Sequence, residues 1–177
     1  MMTSINSYRQ MAEVEPKSTI ANKLSPVLKE GGYSVHMIDG DAVRKIQKTD
    51  TYFSRSGILD NNYSIINSCT QLLNKYDFIL VSVISPFTET REYARHVLKE
   101  NYFEIYIKCS RKELVRRDTK GLYKKAINKE INNLIGISES SPYQEPINAH
   151  LTLQTDTTAL DISINRIIKK LKDSGHL

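Results

Sequence analysis

The sequence has little of what would place the chain in a membrane, outside the cell or on a nucleic acid. It has no apolar stretch of the roughly 18 residues that cross a bilayer, and its N-terminus lacks the charged-then-apolar pattern of a secretory signal. Its two cysteines, Cys69 and Cys109, lie far apart and show no metal-site spacing, so we expect reduced, buried thiols. No basic run interleaved with aromatic residues indicates a nucleic-acid surface. We therefore expect a cytoplasmic protein that binds neither membrane nor nucleic acid.

The bulk composition predicts one globular domain with its own core. The chain has 177 residues, of which 40% are hydrophobic and 25% are charged. That length suits a single domain. The net charge of +5 is mild, and it fits an anionic small molecule as a partner at least as well as a polymer.

Predicted strands alternate with predicted helices along the chain. Apolar runs predict strands over residues 34–38, 78–84, 103–108 and 150–154. Helical spacing of apolar residues predicts helices over about residues 17–30, 42–48, 61–75, 88–99, 110–117 and from Leu160. This alternation predicts an α/β fold with a parallel sheet of four or five strands and helices on both faces.

Several segments are expected to interrupt this pattern. Residues 1–16 are polar and are predicted to be irregular or weakly helical, and residues 49–60 are predicted to form a loop. Pro26 is expected to kink or shorten the first helix. Thr88 is expected to cap the helix that it opens.

The turn after the first predicted apolar strand carries two acids and a base, Asp39, Asp41 and Arg44. Chemistry in open α/β sheets is found at the carboxyl ends of strands. These residues therefore suit a base, an indirect metal site and an anion clamp. The alternative is a plain strand end at which Asp41 caps the next helix.

A series of motifs carries more specific information. In chain order they are Lys17-Ser18-Thr19-Ile20-Ala21, Asp39-Gly40-Asp41-x-Val43-Arg44, Phe53-Ser54 with Asn61, Ile84-Ser85-Pro86, Phe103-Glu104-Ile105-Tyr106, Arg117-Asp118-Thr119-Lys120-Gly121-Leu122-Tyr123-Lys124-Lys125-Ala126 and Tyr143-x-Glu145-Pro146. Their order and spacing resemble those of the adenylylsulfate kinase family. The stretch that contains Lys120 to Tyr123 is the most specific of them.

The resemblance spans about residues 17–170 and implies both fold and reaction. The implied fold is the three-layer α/β P-loop kinase fold with a mostly parallel sheet, here with a degenerate first strand and phosphate loop. It implies a divergent segment over residues 1–16 and a kinase domain over 17–177, with a lid at about 116–146. The implied reaction is ATP-dependent phosphorylation of the 3′-hydroxyl of adenosine 5′-phosphosulfate, which activates sulfate. ATP, Mg²⁺, a small nucleotide substrate and a homodimer are the implied partners.

The resemblance also implies roles for individual residues on the side of ATP and the reaction. The positions implied to hold ATP are Lys17, Ser18, Thr19, Arg116 and Arg117, and Ser18 is also the implied Mg²⁺ ligand. Asp39 and Asp41 are expected to orient the acceptor hydroxyl or take its proton. Ser85 occupies a position described in the family as a phosphoserine intermediate. The alternative for Ser85 is a strand-end hydroxyl of the substrate pocket, because in-line transfer does not need a covalent intermediate.

A second group of positions is implied to bind the acceptor nucleotide. These positions are Arg44, Phe53, Asn61, Ile84, Lys120, Gly121, Leu122 and Tyr143. Arg44 is expected to bind the phosphate side of the acceptor nucleotide through the paired donors of its guanidinium group. Phe53 and Tyr143 are expected to stack on the base.

The sequence departs from the family pattern on the ATP side. No glycine precedes Gly31, although a phosphate loop needs glycines at the positions of Met11 and Pro16. Glu13 and Glu15 add negative charge there, and a like-charge contact at about 4 Å costs on the order of 4 kcal/mol. The apolar strand expected before the loop is missing, which predicts a gap in the sheet or a poor replacement. On the acceptor side, Ile58 stands where the family has an arginine.

Different functions follow from these departures, and each is kept as a hypothesis. The chain is an active adenylylsulfate kinase, a kinase of another nucleotide derivative such as those of capsule-sugar pathways, or a nucleotide-binding pseudokinase. A structural partner of an intact paralogue is a further alternative. Residues 11–16 are the feature that separates the enzyme from the pseudokinase.

Overall fold

A computed structural model of the chain describes residues 2–7, 16–47, 54–116 and 142–177, together with residues 125, 128, 130, 135 and 136. For residues 2–7, 16, 45–47 and 111 the description covers the backbone only. No helix within these ranges is long and apolar enough to cross a membrane.

Within the described residues, five parallel strands form one sheet with helices between them. In chain order the elements are β1 (Met2–Ser7), α1 (Pro16–Glu30), β2 (Val35–Asp39), α2 (Gly40–Gln47), α3 (Arg55–Leu72), β3 (Phe78–Val83), α4 (Thr88–Leu98), a 3₁₀ turn (Lys99–Asn101), β4 (Tyr102–Lys108), α5 (Arg111–Arg116), β5 (Leu151–Gln154) and α6 (Leu160–Asp173). The strand order is β2-β3-β1-β4-β5. The predicted α/β class, strand number and parallel pairing are confirmed.

Residues 2–7 correct the prediction for the N-terminal segment. They form the central strand, which pairs with β3 from Met2 to Asn6 and with β4 from Met2 to Ser7. The expected gap in the sheet is therefore absent over this register. A strand with a neighbour on each side satisfies its backbone donors and acceptors whatever its side chains are. Apolarity, which was the signal used to find strands, is thus not required at this position.

The strand β3 contributes side chains to two hydrophobic cores, one on each face of the sheet. Its residues are all buried, and they alternate between the two faces. One face, with Phe78 and Leu80, packs under α1 and α6, while the other, with Ile79, Val81 and Val83, packs under α3 and α4. A strand covered on both faces reads as a continuous apolar run, as predicted.

Several local predictions need correction. The helix α3 begins at Arg55 within the predicted loop, because the side chain of Ser54 accepts from the Gly57 amide and caps it. The helix α1 continues through Pro26 to Glu30, so Pro26 does not shorten it, and the kink expected as the other possibility stays a prediction. Thr88 is the first helical residue of α4 and not its cap; Phe87 occupies the cap position without a side-chain bond. Both cysteines are free and buried, as expected.

Candidate active site at the carboxyl end of the sheet

Asp39, the last residue of β2, connects the start of one helix with the start of another. Its Oδ1 accepts from the backbone N–H groups of Asp41 (2.8 Å) and Ala42 (3.2 Å). Its Oδ2 accepts from Ser18 Oγ in α1 at 3.2 Å. The cap of α2 is therefore Asp39, and the alternative in which Asp41 caps this helix is wrong.

Asp41, freed from capping, carries two ion pairs. Its Oδ2 lies 3.5 Å from Lys17 Nζ, and its Oδ1 lies 3.4 Å from an Arg44 terminal nitrogen. Lys17 is only 2% exposed and Arg44 is also buried. A buried cation needs a counter-charge, because the low-dielectric interior penalises an unpaired one. One carboxylate thus serves the residue predicted to hold ATP and the residue predicted to hold the acceptor.

Gly40 allows the turn between Asp39 and Asp41 to lie against β3. A Cβ at Gly40 would be 2.9 Å from a Val83 methyl carbon and 3.2 Å from the Ser82 carbonyl oxygen. The residue therefore has no room for a side chain. This close approach fixes the turn next to Ser82, whose Oγ donates to the Lys17 carbonyl at 3.4 Å.

The carboxyl end of β3 continues into a second part of the site, around Ile84 and Ser85. Asn62 of α3 donates to the Ile84 carbonyl at 3.2 Å, and Arg91 of α4 donates to the Ser85 carbonyl at 2.7 Å. The Ser85 hydroxyl lies 2.7 Å from that of Thr90. Because the Thr90 hydroxyl donates to the Phe87 carbonyl at 3.0 Å, Ser85 is left to donate to Thr90. Both roles considered for Ser85, the pocket hydroxyl and the phosphoserine intermediate, stay predictions.

An apolar cluster lies beside this strand end. Its buried members are Ile58, Ile84, Phe87 and Ile135, and Leu59 and Tyr143 pack against it. Ile135 comes from the predicted lid. The ring of Tyr143 is stacked with that of Tyr106 at a centroid distance of 6.3 Å. Burial of the hydroxyl raises the Tyr143 pKa well above its usual range, so this residue remains neutral.

Asn61 differs from the other polar residues of the site. It is 1% exposed, and neither its amide nitrogen nor its amide oxygen has a hydrogen-bond partner among the described residues. A buried amide without partners is costly, and such groups are normally satisfied. Asn61 therefore has donor and acceptor capacity available for a ligand.

Of the remaining predicted site residues, the structure describes Thr19 and Arg116. Thr19 is half-buried in the first turn of α1. Arg116 is exposed and donates two hydrogen bonds of 2.6 Å to the Glu113 carboxylate. This carboxylate raises the Arg116 pKa. The predicted residues Phe53, Arg117, Lys120, Gly121 and Leu122, and the phosphate-loop positions 11–15, lie outside the described residues.

Three polar residues that sequence reasoning did not single out hold this part of the site together: Asn62, Arg91 and Gln144. Gln144 donates its backbone N–H to the Pro86 carbonyl at 2.8 Å and accepts from Arg91 at 2.7 Å. A polar residue on the buried face of its helix was an available signal for Asn62 and Arg91. The contact of Arg91 with Gln144, 53 residues away, has no local signal in the sequence.

The chain is similar to known proteins over most of its length. The family model described as adenylylsulphate kinase matches residues 13–154. The probable adenylyl-sulfate kinase of Aeropyrum pernix is 33% identical over 159 residues, covering 88% of this chain and 86% of that protein. The adenylyl-sulfate kinase of Halothermothrix orenii is 36% identical over 162 residues, covering 91% and 85%.

A solved structure agrees with these sequence matches. The Mycobacterium tuberculosis APS kinase CysC, solved in complex with AMPPNP and APS, is 31% identical and superposes with a TM-score of 0.82. The superposition covers 96% of this chain and 97% of that one. The predicted fold class is thereby confirmed. The chain belongs to the adenylylsulfate kinase family.

Proposed function

We propose that the chain transfers the γ-phosphoryl group of ATP to the 3′-hydroxyl of adenosine 5′-phosphosulfate. The bond between the γ-phosphorus and its bridging oxygen breaks, and a bond from the γ-phosphorus to the 3′-oxygen forms. The 3′-hydroxyl gives up its proton, and ADP leaves with 3′-phosphoadenosine 5′-phosphosulfate as the second product. The observation that carries the proposal is the cluster of Lys17, Ser18, Asp39 and Asp41 at the carboxyl end of β2.

Each member of this cluster suits one requirement of phosphoryl transfer, which depends mainly on positioning and charge neutralisation. Lys17 supplies a buried ammonium for the β- and γ-phosphates. Asp39 and Asp41 are the carboxylates that would orient the acceptor hydroxyl and accept its proton. Arg44, on the other side of Asp41, supplies a guanidinium for the acceptor's anionic group.

The oxygen atoms of this cluster also fit Mg²⁺. Ser18 Oγ and Asp39 Oδ2 lie 3.2 Å apart, and Mg²⁺ is commonly held by few protein oxygens, by substrate phosphates and by waters. The described part of the chain contains no cluster of three or more acidic, histidine or cysteine side chains that could form an all-protein cage. Ser18 would hold the ion directly, and Asp39 would hold its waters. When bound, Mg²⁺ neutralises charge on the phosphates.

The acceptor pocket is proposed to lie between the strand end at Ile84-Ser85 and the segment that carries Tyr143. The unpartnered amide of Asn61 supports this proposal, because a nucleotide offers both donors and acceptors. Phe53 and Tyr143 are proposed to contact the base, and Lys120, Gly121 and Leu122 to close over the acceptor. Arg116 and Arg117 are proposed to approach ATP from a lid at about residues 116–146.

A second candidate function is phosphorylation of a different nucleotide derivative. Ile58 is fully buried in the apolar cluster, at the position where the family pattern has an arginine. An acceptor that needs one anion contact fewer would suit this apolar wall. A nucleotide-binding pseudokinase is a third alternative. Residues 11–16 favour it, because Glu13, Glu15 and Pro16 disfavour ATP.

A coupled ADP-release assay on the purified chain tests the enzymatic proposals. We expect ADP release that requires Mg²⁺ and is strongest with adenosine 5′-phosphosulfate. Strongest turnover with another nucleotide derivative would support the second candidate. Absence of turnover with every nucleotide would refute both.

Calorimetry separates the enzyme from the pseudokinase. Because of Glu13 and Glu15, we expect ATP–Mg²⁺ to bind more weakly than the acceptor, but measurably. Acceptor binding without any ATP binding would identify the pseudokinase.

Light scattering during size-exclusion chromatography tests the proposed homodimer. The mass of a monomer would contradict it. We assign the reaction to the cytoplasm, which the free cysteines support.

A further inference from the structure

The guanidinium of Arg91 joins three separate segments of the chain. Arg91 belongs to α4 and is 3% exposed. One terminal nitrogen donates to the Ser85 carbonyl at 2.7 Å, and the other donates to the Gln144 carbonyl at 2.7 Å and to the Thr88 hydroxyl at 3.2 Å. A single side chain therefore joins the end of β3, the start of α4 and the last part of the proposed lid.

Gln144 is held by the same strand end through two further bonds. Its backbone N–H donates to the Pro86 carbonyl at 2.8 Å, and its side-chain oxygen accepts from the Thr88 N–H at 2.6 Å. With the bond from Arg91, both its backbone polar groups and its side chain are engaged. The position of Tyr143, the adjacent residue, is consequently tied to the position of Ser85.

The charge of Arg91 is balanced by a buried carboxylate, that of Glu104. Its Nε lies 3.5 Å from Glu104 Oε1, and Arg95 binds the other oxygen of Glu104 at 2.9 Å. Glu104 is fully buried in β4. This pairing leaves the two terminal nitrogens of Arg91 for neutral carbonyls. A planar fork can reach two carbonyls in different directions at once, which an ammonium at the same place cannot do.

We infer that Arg91 is a positioning residue for the acceptor nucleotide: it fixes the Ser85 strand end and the Tyr143 segment relative to each other. These are the two walls of the proposed acceptor pocket, so this inference rests on the proposed function. With Arg91 in place, the walls are set before the nucleotide arrives, and the binding free energy is not used to assemble them.

The test compares Arg91→Lys with Arg95→Lys in the full-length chain. Both substitutions keep a positive charge near Glu104, but only the first removes the bonds to Ser85 and Gln144. For Arg91→Lys we expect the KM for adenosine 5′-phosphosulfate to rise about tenfold or more, with the KM for ATP changed less than about twofold. For Arg95→Lys we expect a lower melting temperature with little change in either KM.

Hydrogen exchange provides a readout that does not need turnover. The Gln144 amide is bonded to the Pro86 carbonyl, so we expect faster exchange of this amide in Arg91→Lys and not in Arg95→Lys. If Arg91→Lys does not fold, Thr88→Val takes its place. It removes one acceptor of the guanidinium and is expected to raise the acceptor KM by about two- to fivefold.

The outcomes distinguish this inference from the proposed function. A wild-type chain that neither binds nor phosphorylates the acceptor contradicts the proposed function itself. An active wild type whose acceptor KM is unchanged in folded Arg91→Lys contradicts only the positioning role. Equal increases of the acceptor KM in Arg91→Lys and Arg95→Lys would also contradict it, because they would indicate a general effect of the buried charge network.

Discussion

Lys17 Nζ lies 3.5 Å from Asp41 Oδ2, and this pair joins α1 and α2, two of the helices that begin at the carboxyl end of the sheet. Lys17 is in the first turn of α1, while Asp41 is in the first turn of α2 and also pairs with Arg44. The position of the proposed ATP-binding ammonium is thereby coupled to that of the proposed acceptor clamp. A substitution that moves the residues of one side is therefore expected to move those of the other.

Replacement of Lys17 by Met is expected to reduce kcat/KM by about 100- to 1,000-fold. The thioether fills a similar volume but has no charge for the transferring phosphoryl group. Steady-state ADP release measures the effect. Lys23→Met, on an exposed lysine of the same helix paired with Asp161 at 3.5 Å, is the control and should retain activity. Equal activity of the two variants would show that Lys17 has no role in transfer.

Gly40→Ala is expected to lower the free energy of unfolding by about 1–3 kcal/mol, because the new methyl group would clash with Val83 and the Ser82 carbonyl. Turnover should fall as well, since any shift of this turn moves Asp39 and Asp41. Urea denaturation gives the stability. Ala42→Ser, at an exposed position in the same turn of α2, should remain within about 0.5 kcal/mol of wild type. Wild-type stability of Gly40→Ala would disprove the close packing.

Glu104→Gln is expected to destabilise the protein by about 3 kcal/mol. The substitution removes the negative charge that balances Arg91 and Arg95, and Arg91 would be left buried without its counter-ion. Chemical denaturation measures the loss. Glu92→Gln removes an exposed partner of Arg95 and should cost less than about 1 kcal/mol. Similar losses for the two variants would contradict the importance of the buried network.

His150 is expected to make the protein less stable in mild acid. Its Nδ1 accepts from the Glu104 backbone N–H at 3.0 Å, and its ring stacks on Phe103. Desolvation of the ring, followed by the positive charge of Arg95, lowers the His150 pKa below its usual value of 6.5. The unfolded chain then binds more protons than the folded one between these two pKa values.

The free energy of unfolding should therefore be steady above about pH 7 and decrease as the pH falls through about 6.5. It should stop decreasing below the lowered pKa. Melting temperatures of wild type and His150→Gln between about pH 7.5 and 5.5 measure this, and the variant should show a smaller decrease. His176→Gln should likewise show a smaller decrease, because burial also lowers the His176 pKa. A pH dependence unchanged by both substitutions would contradict the account.

Much of the fold was predictable because its strongest signals are local. The run Phe78–Val83 is buried on both faces, and a continuous apolar run predicts such a strand. The motif from Asp39 to Arg44 likewise predicted the turn that brings carboxylates to the carboxyl end of β2. The start of α3 was not predicted, because residues 49–60 were expected to form a loop, whereas Ser54 caps a helix that begins at Arg55.

Other parts depend on long-range contacts that no local pattern contains. The strand β1 is central because β3 and β4 lie on each side of it, although its own sequence is mostly polar. The assignment of the cap to Asp39 and of the ion pairs to Asp41 required the distances to Ser18 and Lys17. The contact between Arg91 and Gln144 depends on how the last part of the proposed lid returns to the sheet.

The most direct test of the central claim follows the γ-phosphoryl group itself. The purified chain is incubated with γ-³²P-labelled ATP, Mg²⁺ and adenosine 5′-phosphosulfate, and the labelled products are separated and identified. We predict label on the 3′-oxygen of the acceptor, in amounts equal to the ADP formed, and its loss in Lys17→Met. Label only in inorganic phosphate, or no label transfer by a folded chain that binds both nucleotides, would contradict the proposed function.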